Sequence, residues 1–391
     1  MKNDDKFLFI SNGYGEDTIA TSIINELVNL TDRDRIVGFP LVGEGQAYSN
    51  IGIPVVAPVR NMPSGGLIPG GWVKNLWMDF SSGLARLTLM QVSRLGELKK
   101  DLRAVVAVGD TYPVILGGLF TGKPILFVGT AKSDYFYPYS PIEREIFKRY
   151  CKIVFPRDEI TAKSLKNNKI NAKWVGNAMM DSLNFTGERF GIPQDKTVIT
   201  LLPGSRSFAY DDLPVILKAA ERIKQELDDP PAFLAPLANS IEVPTLGKSA
   251  QKAGFSLIDN HNDEGVVGKL TRHNMEVLLL RKRFGDSINM ADLVIGQAGT
   301  GNEQAVGLGK PVVAFDSSGN EKLGWYRLRQ KGLLGGSLSI TPRDPENIAT
   351  ETLDILRNRE KYEEMAGIGR ERMGPPGGAK KMAEHIANFA G

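Results

Sequence analysis

Short apolar runs alternate with amphipathic stretches along most of the chain. FLFI (7–10) leads into TIATSIINELVNL (18–30), where apolar residues recur at helical spacing. RIVGF (35–39), PVVAPV (54–59), AVVAVG (104–109), PILFVG (124–129) and KIVF (152–155) follow. β-rich runs of this length, separated by helical patterns, predict parallel βαβ units. The alternation pauses at NFTGERFGIPQDK (184–196), with its glycines, proline and mixed charge. It restarts with TVITLLPG (197–204), AFLAPLA (232–238), EVLLL (276–280), LVIG (293–296) and PVVAF (311–315), and DDLPVILKAAERIKQEL and DPENIATETLDILRN supply helices. Two Rossmann-like, doubly wound α/β halves are expected, residues 1–184 and 197–370, joined by one linker. The tail, 371–391, breaks at Pro375–Pro376 and Gly377–Gly378 before a last helix, free to cross back to the first half. Sheets of this kind bind ligands beyond the carboxyl ends of their strands, and two of them face to face leave a cleft there. The loops that follow strands are where chemistry belongs.

Composition narrows the class of protein. A chain of 391 residues is too long for one core, which agrees with two domains. A formal net charge of +3 is too small to argue for nucleic acid as a partner. Cys151 is the only cysteine, so no disulfide framework exists and a reducing compartment fits. MKNDDKFLFI carries charges ahead of an apolar run too short for a signal peptide. No apolar stretch approaches the ~18 residues of a membrane span. A cytoplasmic protein is expected, peripheral on the cytosolic face of a membrane if it meets one; oligomeric state is not legible.

The richest loop is GQAGTGNEQAVGLGKPVVAF (296–315), which holds five glycines. Strand LVIG ends at Gly296, and the turn through Gly299, Thr300, Gly301 and Asn302 opens straight into a helix. Glycines let backbone approach an anion, and a helix N-terminus offers free N–H groups and a positive dipole end. Glu303 or Gln304, in the first turn, can accept hydrogen bonds from ribose hydroxyls. The competing reading is a plain βα turn with a dipole-complementing glutamate. LLPGSRSF (201–208) adds a second such loop after a strand: Gly204 and Ser205 form a tight turn with donors, and Arg206 suits a phosphate.

LLPGSR followed by AGTGNEQAVGLGKPVV resembles the donor-binding half of a GT-B glycosyltransferase. Within that group the chain is similar to lipid-A-disaccharide synthase, and most to the lipid-A-disaccharide synthase-related proteins. SNGYGED (11–17) matches that family's first glycine-rich acidic loop, and WVGNAMMDSL (174–183) its segment before the linker. The resemblance implies a UDP-sugar donor in the C-terminal half and a lipid acceptor in the N-terminal half. Counted back from Pro311, the ribose-binding glutamate of GT-B enzymes falls on Gln304, with Glu303 one residue earlier, so both stay candidates. AVVAVGDTYP (104–113) puts Asp110 directly after a strand, where a short, fixed base belongs. The family's proposed catalytic aspartate lies in a similar loop; a turn aspartate capping the next helix is the alternative.

The N-terminal loop, with Gly13, Tyr14 and Gly15, imitates a dinucleotide fingerprint but lacks the third glycine, and Asp34 precedes the second strand where a ribose acid should follow it. Glu16 and Asp17 remain at that helix start as secondary candidates for catalysis. No metal and no cofactor is expected: Asp32-Arg33-Asp34 lies at the wrong end of a strand, DNHND (259–263) reads as a solvated turn, and His261, His273 and His385 are scattered. Arg283, in the basic triplet after EVLLL, is a further candidate for the nucleotide pocket. In 63–100, Trp72, Trp77 and Phe80 share an apolar stripe flanked by lysines and arginines after a glycine-rich hinge. Core packing is the common meaning of such a stripe; an interfacial helix contacting a membrane or an acyl chain is the other. Together these readings describe an inverting, metal-independent glycosyltransferase acting on a lipid acceptor. The alternatives are a UDP-N-acetylglucosamine 2-epimerase and a non-catalytic binder of lipid or nucleotide-sugar on the same fold.

Overall fold

The computed structural model describes residues 5–58, 84–262, 264–316 and 321–389. The chain divides into two compact units, Met1–Ser182 together with Pro375–Gly391, and Leu183–Gly374.

The first unit runs β1 (Lys6–Ser11), α1 (Tyr14–Leu27), β2 (Ile36–Pro40), α2 (Gln46–Asn50), α3 (Leu84–Leu98), β3 (Leu102–Gly109), α4 (Thr111–Thr121), β4 (Ile125–Gly129), α5 (Pro141–Tyr150), β5 (Cys151–Phe155) and α6 (Glu159–Asn167). Its sheet has the order β2-β1-β3-β4-β5, every pair parallel. Residues 104–108 of β3 have no exposed surface, as a strand covered on both faces must. Strand order reverses between β1 and β3, so the loops after these two strands flank the switch point. Over its described residues, 54–58, PVVAPV does not form the expected strand. Only Val55 bridges to Gly38, with the Gly38 N–H donating to Pro54 and the Val56 N–H to Gly38. Pro54 and Pro58 lack the N–H groups that would extend a ladder.

The second unit runs β6 (Val198–Leu202), α7 (Ala209–Glu226), β7 (Ala232–Pro236), α8 (Val243–Gln251), β8 (Ser256–Asp259), β9 (Gly265–Arg272), β10 (Met275–Arg281), α9 (Phe284–Met290), β11 (Leu293–Gly296), α10 (Thr300–Gly307), β12 (Val312–Phe315), α11 (Glu321–Leu334), β13 (Leu338–Thr341), α12 (Pro345–Arg357) and α13 (Arg359–Met373). The order is β13-β12-β11-β6-β7-β10-β9-β8. Six strands are parallel and wind outward in both directions from a switch point between β6 and β11, the dinucleotide-fold order. β9 and β8 add antiparallel to one edge, a departure from the expected all-parallel pattern. The chain then returns to the first unit. There α14 (Gly378–Ala387) packs on α1, and the Asp181 carboxylate accepts the N–H groups of Gly377 and Ala379 at its start.

Candidate functional site

In the second unit Gly296 stands in register with Leu202, and the Gln297 N–H donates to the Leu202 carbonyl at 2.7 Å. The loops after β6 and β11 therefore leave the sheet side by side at the switch point. Gly204 has φ +103°, a conformation that costs most side chains strain, and Ser205, Arg206 and Ser207 after it are exposed. Ser240 Oγ donates to the Ser205 carbonyl at 2.7 Å and ties down this turn. Gly299 is the N-cap of α10, and no side chain caps the helix. The first backbone N–H groups of a helix have no partner inside it, so this end presents donors and positive potential. Thr300 is exposed and Gly301 half-buried, while Asn302 is fully buried and binds the Gly296 carbonyl through Nδ2 at 2.9 Å. Exposure separates the two ribose candidates: Glu303 is half-buried, whereas Gln304 is only 7% exposed.

Arg283 is committed elsewhere. Its Nε pairs with Glu188 at 2.7 Å and its Nη1 with Glu264. Trp72, Trp77 and Phe80 lie outside the described residues. Further along the same stretch, α3 buries Leu87, Leu95 and Leu98.

At the switch point of the first unit, Asp110 is the N-cap of α4, its Oδ1 accepting the Tyr112 N–H at 2.8 Å. Burial raises the Asp110 pKa; the Tyr112 N–H and Lys132 pull it back, and the Glu143 charge adds to the rise. No motif marks the array that surrounds it. Thr111 Oγ1 donates to Glu143 Oε1 at 2.8 Å, and Lys132 Nζ pairs with Glu143 Oε2 at 2.7 Å. Burial would raise the Glu143 pKa, but hydrogen bonds from Lys132, Ser140 and Thr111 outweigh it and hold the group ionised. Glu16 is half-buried; Thr130 Oγ1 donates to it at 3.4 Å, and the Thr130 N–H donates to the Gly109 carbonyl, so Glu16 and Asp110 share one neighbourhood. Gly13 begins α1 with an extended backbone, and Tyr14 and Gly15 are exposed at its first turn.

Asp17 turns inward. It is 2% exposed and accepts from Ser11 Oγ at 2.5 Å, while Ser11 also meets the buried Tyr48 hydroxyl at 2.6 Å. Burial pushes its pKa from 3.8 up to about 6, against the Ser11 hydrogen bond and with a contribution from Glu16. Between those two values the folded chain holds the proton more tightly than the unfolded one, so stability falls as pH rises and the cost is complete above the upper value. Asp17→Asn should therefore stabilise the protein by about 2–3 kcal/mol at pH 8. The gain should shrink as pH falls through 6 and vanish near pH 4; melting curves of both proteins across this range check it. A pH-independent difference would mean that Asp17 is not buried as a charge.

No family model matches the chain. It is 29% identical over 237 residues to a lipid-A-disaccharide synthase of Syntrophus aciditrophicus (strain SB), covering 55% of this chain and 56% of that protein. Against a lipid-A-disaccharide synthase of Gloeothece citriformis (strain PCC 7424) it is 24% identical over 254 residues, covering 56% and 58%. The chain thus spans little more than half the length of the curated relatives it matches. Among solved structures, it is similar to a Listeria monocytogenes protein assigned as a UDP-N-acetylglucosamine 2-epimerase (TM-score 0.63, 17% identity, 98% of this chain and 96% of that one). It is also similar to the calicheamicin glycosyltransferase (0.62, 14%, 98% and 97%). A third is the Neisseria meningitidis UDP-GlcNAc 2-epimerase bound to UDP-GlcNAc (0.59, 16%, 97% and 99%). These likenesses show the GT-B fold, and the curated relatives bear out the resemblance to lipid-A-disaccharide synthase.

Proposed function

We propose that the chain is an inverting, metal-independent glycosyltransferase that moves a sugar of the N-acetylglucosamine type from a UDP-sugar to a lipid acceptor at a membrane surface. The observation that carries this reading is the pairing of two anion-type loops at the β6/β11 switch point, with exposed Arg206 beside the uncapped start of α10 and Glu303 in its first turn. In this reading Arg206, Ser205 and the N–H groups of residues 299–301 hold the diphosphate and take up the charge that develops as it leaves. Glu303 accepts from the ribose. Asp110 removes the acceptor hydroxyl proton while that oxygen attacks the anomeric carbon, and a single displacement inverts the centre. A cationic loop and a helix dipole supply the field for which other transferases recruit a metal. The lipid acceptor is supported by the curated relatives. Membrane contact through Trp72, Trp77 and Phe80, on the cytosolic side, is supported by the sequence pattern and by basic residues around it. Among the described residues no helix is long and apolar enough to cross a membrane.

One assay separates the readings. The purified protein is given UDP-N-acetylglucosamine with and without a lipid-linked sugar acceptor. A transferase releases UDP only when the acceptor is present. Interconversion of the nucleotide-sugar without acceptor would make the chain a 2-epimerase instead. UDP binding with neither reaction, over a panel of acceptors, would leave a binding protein.

A further inference from the structure

Helix α11 backs the glycine turn. Gln330 Nε2 donates to the carbonyls of Ala298 and Gly299, each at 3.1 Å. Drawing both carbonyls toward α11 leaves the N–H groups of that turn to face the other way. Arg327, only 6% exposed, donates to Gln330 Oε1 at 2.6 Å and Gln297 Oε1 at 2.7 Å. Both partners are neutral, and among the described residues no carboxylate lies within ion-pair distance of it. Asp212, one of the carboxylates acting on it from further off, is paired with Arg343 at 3.2 Å. A buried guanidinium with no carboxylate in contact is only partly compensated by carboxylates further off, and an anion arriving at the adjoining turn relieves that cost.

Tyr326 precedes Arg327 and is half-buried. Its hydroxyl fills the space that a side chain on Gly299 would need: a Cβ placed there would be 2.2 Å from Oη. The phenol thus lies directly on the start of α10, and its hydroxyl makes no hydrogen bond among the described residues. Burial and the Glu303 charge hold its proton on, while Arg327, Arg329 and Arg206 act from the other sign, so it remains a donor at neutral pH. Four observations converge: an unused donor, a buried cation behind it, carbonyls pulled away and an exposed arginine on the neighbouring loop.

We propose that Tyr326 is a direct ligand of the anion bound at this turn, donating its hydroxyl to a phosphate oxygen, with Arg327 as the buried counter-charge behind it. The anion is a diphosphate, and its identification with the UDP moiety rests on the function proposed above. Tyr326→Phe removes one oxygen that makes no hydrogen bond among the described residues, so its melting temperature should equal that of the wild type. Calorimetric titration with UDP and, separately, with inorganic pyrophosphate should show both ligands weakened about 10-fold or more in the variant. Equal affinities in the two proteins overturn the proposal. If the wild type binds pyrophosphate but not UDP, the nucleotide reading fails while Tyr326 is still judged by the pyrophosphate ratio. If it binds neither, both fail.

Discussion

Asp110→Asn should lower turnover about 100-fold or more while leaving UDP-sugar binding intact. The substitution keeps the shape of the side chain and removes its ability to accept a proton. It also keeps the helix cap, because an asparagine oxygen still accepts the Tyr112 N–H and asparagine caps as well as aspartate. Unchanged melting temperature with lost turnover would therefore separate a chemical role from a capping one. The wild-type rate should fall at low pH as Asp110 takes up a proton. That limb should lie above the ordinary aspartate value of 3.8, because burial favours the protonated form. In the asparagine variant the limb should vanish from the residual rate. Near-normal turnover would move the base to Glu16, the half-buried carboxylate of the same neighbourhood.

Arg206→Ala should weaken UDP binding by about 1.5–3 kcal/mol, a loss of roughly 10- to 150-fold, since a charge-assisted contact to the diphosphate disappears. The side chain is exposed and has no ion pair among the described residues, so its removal should not change stability. Arg206→Lys should recover part of the affinity, as a point charge replaces a bidentate fork. The ribose contact can be read in the same titrations. Glu303→Ala should lose more affinity for UDP than for 2′,3′-dideoxy-UDP, while Gln304→Ala, at a buried position, should show no such difference. Unchanged UDP affinity in Arg206→Ala would take that residue out of the site.

The switch-point loops were legible because their signals are local. LLPGSR and QAGTGNEQ each join a strand's end to a helix's start, so their placement followed from the hydrophobic pattern alone. Asp110 was visible for the same reason. Asp17 was not: its inward turn depends on Ser11 and on Tyr48, brought under it by a different element. Arg283 looked like a pocket cation until Glu188 and Glu264, from distant stretches, were seen to occupy it. Arg327 and Gln330 carry no motif at all, since their meaning comes from the carbonyls and amides they meet across the fold. The edge strands β8 and β9 leave no strand signal in the sequence because their half-buried residues give no continuous apolar run. The PVVAPV run erred in the opposite sense, its apolar pattern outweighed by two prolines.

The return of α14 to the first unit has a consequence for how the protein is made. Residues 183–374 form an uninterrupted segment that can fold as it emerges, whereas the first unit is assembled from segments on either side of it. The surface of α1 that α14 covers stays open to solvent until the entire second unit has been synthesised. At about 5–20 residues per second, that wait lasts roughly 10–40 seconds. During it the N-terminal half is a nascent chain with an unsealed apolar face, and Asp181 has yet to meet the two amides it will cap. The ribosome therefore finishes the second unit first, and the first unit closes last.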